Sequence, residues 1–173
     1  MRDAFRELHG TRLHGFALLL TLGDRAAAAR LAAEALAEGV GRVGELRHPV
    51  RGAAWLRAHV VRASRVNDRR RAVPAGQSEV TLTPLGVDRA VLAGLSRVDH
   101  LGRAALIAGL VERFDRGDVA TIVGRDGARL DRLLRKARES YAAGHMALAP
   151  NHEVPTPGPM VERIRDVTRR ALQ

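Results

Sequence analysis

The sequence predicts an all-α protein made of two small helical modules joined by a flexible linker, with a further helix at the C-terminus. Three observations carry this prediction. Apolar residues recur at helical spacing through most of the 173-residue chain. Aromatic residues make up only 3%, so the core must be built from Leu, Val, Ile and Ala, which suits small helical modules better than a sheet. Pro- and Gly-rich stretches at 72–86 and around 150–159 interrupt the pattern. The expected organisation is a first helical module over 1–71, a linker over 72–86, a second module over 87–145, and a linker with a terminal helix over 146–173.

In the first module, Phe5, Leu8, Leu13, Phe16 and Leu20 fall roughly on one helical face. Gly23-Asp24 ends that helix, and Asp24 is the expected N-cap of the next. That second helix runs from Arg25 to about Glu38, with Ala28, Leu31, Ala32, Ala35 and Leu36 as its stripe. Glycines 39, 41 and 44 loosen the chain, and 49–52 reads as a turn. A third helix is expected from Ala53 to Arg71, with Trp55, Leu56, His59, Val60 and Ala63 inward and a basic end formed by Arg62, Arg65, Arg69, Arg70 and Arg71. No periodic helix is expected in 72–86, where Glu79-Val80-Thr81-Leu82 reads at most as a short extended run.

The second module is expected to hold a helix over Asp88–Leu95 and another over Asp99–Phe114, the latter buried through Leu101, Ala105, Leu106, Leu110 and Val111. A short helix follows over Asp118–Val123, then a break at Gly124-Arg125-Asp126-Gly127, then a helix from Ala128 to about Ala143. The terminal helix is placed at Met160–Leu172.

The net charge of +10 favours a polyanionic partner. Of the 29 basic residues only Lys136 is lysine, so part of the arginine excess reads as a GC-rich coding bias. The positions of the arginines therefore matter more than their number. Absence of cysteine excludes disulfides, thiol nucleophiles and thiolate-bound zinc. The longest apolar stretch, Gly15–Leu22, is too short to span a bilayer, and Met1–Leu8 lacks the apolar core of a signal peptide. The expectation is a soluble, cytoplasmic protein that contacts no membrane. The seven histidines form no HxxxH or HExxH pair, and neither a phosphate loop nor a Ser-His-Asp signature is present. The sequence thus points to no catalytic residue, metal or cofactor.

Asp118–Tyr141 is the most informative stretch. Gly124 can supply a positive φ to leave the short helix, and Asp126 is a good N-cap for the next. Leu130, Leu133, Leu134, Ala137 and Tyr141 form one apolar stripe, while Arg129, Arg132, Arg135, Lys136 and Arg138 occupy the rest of the surface. Two short helices around a glycine turn, the second basic on its outer face, is the helix-turn-helix pattern that enters the major groove. A plain helical hairpin with a solvated arginine face has the same pattern. Trp55 can stack on an unpaired base or serve as core. The arginines from Arg62 to Arg71 can track a DNA backbone or complement a helix end.

The stretch Leu95-Ser-Arg-Val-Asp-His-Leu-Gly-Arg-Ala-Ala-Leu through Tyr141 resembles region 4 of extracytoplasmic-function sigma factors. The matching positions are Asp118-Val119-Ala120, Val123-Gly124, Asp126 where Ser is usual, Leu130 where Val is usual, and Arg135-Lys136-Ala137-Arg138. Departures are Asp131, where the family often has Lys, and Arg125, which replaces an apolar turn residue. More weakly, Phe5–Asp24, Arg51-Gly52-Ala53-Ala54-Trp55-Leu56 and Arg69-Arg70-Arg71 resemble region 2. In its polymerase-clamp segment Arg30 stands for the usual Asp and Ala33 for the usual Gln, leaving Glu34, and Arg62 replaces the usual Asn of the Trp helix.

The resemblance implies a bacterial transcription initiation factor that reads the −35 promoter element and directs RNA polymerase. It assigns DNA contact to Arg129, Arg132, Arg135 and Lys136, and, with the basic end of the third helix, to Arg62, Arg65, Arg69 and Arg70. Implied partners are promoter DNA, core polymerase and an anti-sigma or other regulatory protein. The alternatives are a degenerate sigma-like DNA-binding regulator, or a protein-interaction adaptor, that does not recruit polymerase by itself.

Overall fold

The computed structural model describes residues 2–42, 44–45, 48–68, 75–83 and 86–149. Arg69 and Arg70 and the helix expected at Met160–Leu172 lie outside the described residues. Within them every element is helical: α1 (Arg2–Leu20), α2 (Arg25–Gly41), α3 (Pro49–Asp68), α4 (Ala75–Leu82), α5 (Arg89–Arg97), α6 (His100–Leu106), a π turn (Ile107–Val111), α7 (Arg116–Val123) and α8 (Gly127–Leu148).

Aspartate side chains cap four of these helices. The carboxylates of Asp24, Asp88, Asp99 and Asp115 accept from the N–H three residues on, in Ala27, Val91, Gly102 and Asp118, at 2.7–2.9 Å. Each satisfies one of the N–H groups that a helix start leaves without a partner.

α1, α2 and α3 pack on one another, and α5, α6 and α8 form a second group, with α7 resting on both α3 and α6. The apolar core runs continuously through the two groups. On α1 the buried stripe is Phe5, His9, Leu13, Phe16 and Leu20, while Leu8 is 58% exposed. At about 100° per residue Leu8 lies roughly 100° away from the centre of that stripe, so the expectation for it fails on helical geometry. On α3 the inward face is Ala54, Leu56, Arg57, Val60, Val61 and Ser64, and Trp55, His59 and Ala63 sit half-buried on its flanks. Each fully buried leucine contributes about 1.5–3 kcal/mol.

Besides Leu8 and the turn expected at 49–52, which is the first turn of α3, two expectations are corrected. First, 75–82 of the expected linker is helical, not irregular or extended. Leu82 is fully buried, Ser78 and Thr81 are nearly so, and all three lie against the turn at Gly23 between α1 and α2. Their spacing of three and four residues lets a helix bury that narrow face, and tertiary packing overrides the weak local propensity. Second, Asp99–Phe114 is not one regular helix. After Leu106 the chain widens into the π turn, where Glu112 N–H donates to Ile107 O at 3.0 Å, and Arg113 then takes a left-handed conformation (φ 57°).

That break serves a contact between the two helical groups. Glu112 accepts two hydrogen bonds from the Arg57 guanidinium, through Nε and Nη2, and Arg57 Nη1 donates to Ala53 O at 3.1 Å. The guanidinium carbon lies 5.1 Å from the Phe114 ring centre and 5.8 Å from that of Phe16. The Arg57 side chain is 2% exposed and that of Glu112 14%, so water screens this pair little. A second buried arginine, Arg103, donates to Leu20 O at 2.8 Å, Leu95 O at 3.0 Å and Val98 O at 3.0 Å. It joins the carbonyl end of α1 to that of α5, where helix carbonyls lack internal partners and carry partial negative charge. His100 Nε2 lies 3.1 Å from Ser64 Oγ, a third polar link between the groups.

α5 and α8 approach closely because Gly94 lies beneath the Tyr141 ring; a methyl there would stand 2.6 Å from Cε2. Tyr141 is buried and its hydroxyl has no hydrogen-bond partner among the described residues. Burial, with a smaller contribution from Asp88, pushes its pKa up to about 12.

Two measurements check this arrangement. Glu112→Ala leaves the Arg57 charge buried without its counter-ion and is expected to destabilise the protein by about 3–5 kcal/mol in urea unfolding. The double change Arg57→Met, Glu112→Leu is expected to recover most of that loss, because two apolar side chains replace the whole pair. Separately, Tyr141 is the chain's single tyrosine. Its phenolate absorbance is expected to rise with a midpoint near 12 in the folded protein, against 10 when unfolded. Because the folded pKa is the higher, the stability it contributes is complete below about pH 10 and is lost as pH rises through about 12.

Candidate nucleic-acid interface

α7 begins at the Asp115 cap and buries Val119, Ile122 and Val123. It stops at Gly124, whose φ of 63° and ψ of 39° turn the chain while its N–H donates to Ala120 O. The sequence expectation of a glycine-driven break holds here. Asp126 occupies the N-cap position of α8, but its side chain makes no capping hydrogen bond.

α8 extends over 22 residues, to Leu148. Leu130, Ala137 and Tyr141 are buried, and Leu133 and Leu134 pack half-buried against the core, as the stripe predicts. α5 and α6 hold this inward side. The outward side carries Arg129, Arg132, Arg135, Lys136 and Arg138, all exposed.

The structure sorts these cations. Arg132, Arg135 and Arg138 line one shallow concave surface together with Ala128, Asp131 and Glu139. Arg129 and Lys136 lie on the flank of the helix nearer α6, and Lys136 Nζ is 3.4 Å from Asp99 Oδ2. Among the described residues, Arg129, Arg132, Arg135 and Arg138 have no ion-pair partner. Arg62 and Arg65 are exposed on α3, outside this surface.

Asp131 and Glu139 are part of the surface but were not among the predicted site residues. Asp131 Oδ1 is 2.7 Å from Arg116 Nη1, which links the start of α7 to α8 across the turn. Arg116 Nη2 also donates to Gly127 O at 3.4 Å. The hydrogen bond from Arg116 holds the Asp131 carboxyl below the usual carboxylate range, and the same bond raises Arg116. At the other face of α7, burial and the neighbouring Asp115 push the Asp118 carboxyl up, against the opposing pull of Arg51 and His48.

Geometrically, three guanidiniums without an ion-pair partner among the described residues stand on one exposed face of a helix that follows a tight turn. Such groups can clamp phosphates or donate two bonds to guanine. Among the described residues, no helix is long and apolar enough to cross a membrane.

Gly124 is where the turn depends most on residue type, since its φ lies in the left-handed region and no neighbour crowds it. Gly124→Ala is therefore expected to lower stability by about 1–2 kcal/mol through backbone strain alone, measured by thermal unfolding. No family model, curated protein or solved structure matches the chain.

Proposed function

We propose that the protein is a sigma-like transcription initiation factor that binds promoter DNA through α7 and α8 and directs RNA polymerase to it. One observation carries the reading: Arg132, Arg135 and Arg138, without an ion-pair partner among the described residues, share the outer face of α8, the helix that follows the left-handed turn at Gly124. The resemblance of Leu95–Tyr141 to region 4 of extracytoplasmic-function sigma factors supports it. Binding energy would come from phosphate neutralisation with a few base contacts, and no covalent step is involved. Arg129 and Lys136 then act as flanking phosphate contacts, and Arg62, Arg65, Arg69 and Arg70 as a second cationic region.

A second reading has its own support. On α2, Arg30 Nη1 lies 3.0 Å from Glu34 Oε1, so the one acid left in the polymerase-clamp segment is neutralised by its neighbour. This favours a sigma-like DNA-binding regulator that does not recruit polymerase by itself. A pull-down with core polymerase separates the two, and DNA binding without polymerase binding selects the second.

The DNA reading is tested by a salt titration of promoter binding. Arg132→Ala or Arg135→Ala is expected to weaken affinity by about tenfold, and a lost phosphate contact lowers the salt slope by about one unit. If neither change alters affinity at moderate salt, the groove assignment of α8 falls. No retardation of any DNA at low salt selects a protein-interaction adaptor.

A further inference from the structure

Asp131 is a carboxylate set among the guanidiniums of a surface assigned to a polyanion. It is the fifth residue of α8, beside Arg132 and one turn before Arg135. Among the described residues it pairs with Arg116, and both side chains are more than half exposed, 58% and 60%. An exposed pair of this kind stabilises a fold little, so joining α7 to α8 is a weak reason for its presence. Left bare, the carboxylate would repel phosphates. Arg116 offsets that charge at 2.7 Å, yet a carboxylate has about four acceptor positions and one bond from Arg116 leaves others open.

The chemistry of a base-pair edge fits this arrangement. In the major groove a G·C pair presents two acceptors on guanine, O6 and N7, and one amino donor on cytosine, N4. A guanidinium and a carboxylate side by side are the complement of that edge. The first turns of a groove-bound helix are also the part that reaches base edges.

We infer that Asp131 is a specificity-determining residue, accepting a hydrogen bond from cytosine N4 in the G·C pair whose guanine is read by Arg132 or Arg135, with Arg116 as its positioning residue. This rests on the DNA-binding reading above. It assigns to Asp131 discrimination between sequences in place of affinity for DNA in general. Arg116 acts through Asp131, holding the carboxylate over the outer face of α8.

The test is selection from a pool of duplexes of random sequence, using the full chain as wild type, Asp131→Ala and Asp131→Asn, with the bound fractions sequenced. The wild-type chain is expected to enrich cytosine at one position. Asp131→Ala is expected to reduce that preference by about tenfold while preferences elsewhere persist. Asp131→Asn is expected to move it towards adenine, whose N6 and N7 suit a carboxamide. An Asp131→Ala chain that keeps every preference and binds all duplexes more tightly overturns the inference alone, because the carboxylate would then be only a repulsive charge. A wild-type chain that binds no duplex removes the DNA-binding reading and this inference with it.

Discussion

The buried ion pair between Arg57 and Glu112 is the constraint on which the arrangement of the two helical groups turns. A core rich in alanine and leucine has few large side chains whose shape selects one packing over another. A guanidinium that must meet a carboxylate, a carbonyl and two aromatic rings admits far fewer arrangements. Arg103 adds a second such demand, since its three carbonyl partners come from the ends of two helices and the residue that follows one of them. The energetic character of both is asymmetric: their formation adds modestly to stability, whereas the loss of one partner strands a desolvated charge.

This joint also places the cationic surface. α7 lies against α3, beside the segment that carries Glu112 and Phe114, and α6 supports both α7 and α8. The inward side of α8 is thereby used up by α5 and α6, and its arginines have only solvent to face. The exposure of Arg132 and Arg135 is thus a consequence of packing elsewhere, not of their own contacts.

Much of this could be read directly from the residues. The cap at Asp24, the stripe of α8 and the break at Gly124 follow from local rules of spacing and backbone conformation, whereas Asp126 takes the N-cap position of α8 without the capping bond expected of it. What escaped were features set by distant partners. Arg57 and Arg103 look like surface arginines in any helical pattern, and only the meeting of α3 with the chain after the π turn, or of α6 with the end of α1, buries them. α4 escaped for the same reason, because Leu82 is driven to helix by the turn at Gly23 rather than by its neighbours. In the candidate site, the outward arginines were visible as a face, but the division between Arg132, Arg135 and Arg138 on one side and Lys136 on the other depends on where Asp99 lies. The arginine skew of the composition also resolves into two kinds. At 57 and 103 a planar fork of donors is needed and lysine could not supply it. On the outer face of α8, Arg132, Arg135 and Arg138 meet no such demand from the fold.

The widened turn at Ile107–Val111 gives this chain an unusual sensitivity to length. A helical segment of ordinary pitch advances about 100° per residue. Removing one residue there would let the hydrogen bonds close at the regular spacing, and the segment would look locally improved. Everything downstream would then be rotated by about that angle, carrying the Glu112 carboxylate away from Arg57 and turning α7 off the surface of α3. A deletion that heals a local irregularity would in this way undo the alignment between distant parts, so the extra residue functions as a spacer whose worth is measured far from where it sits.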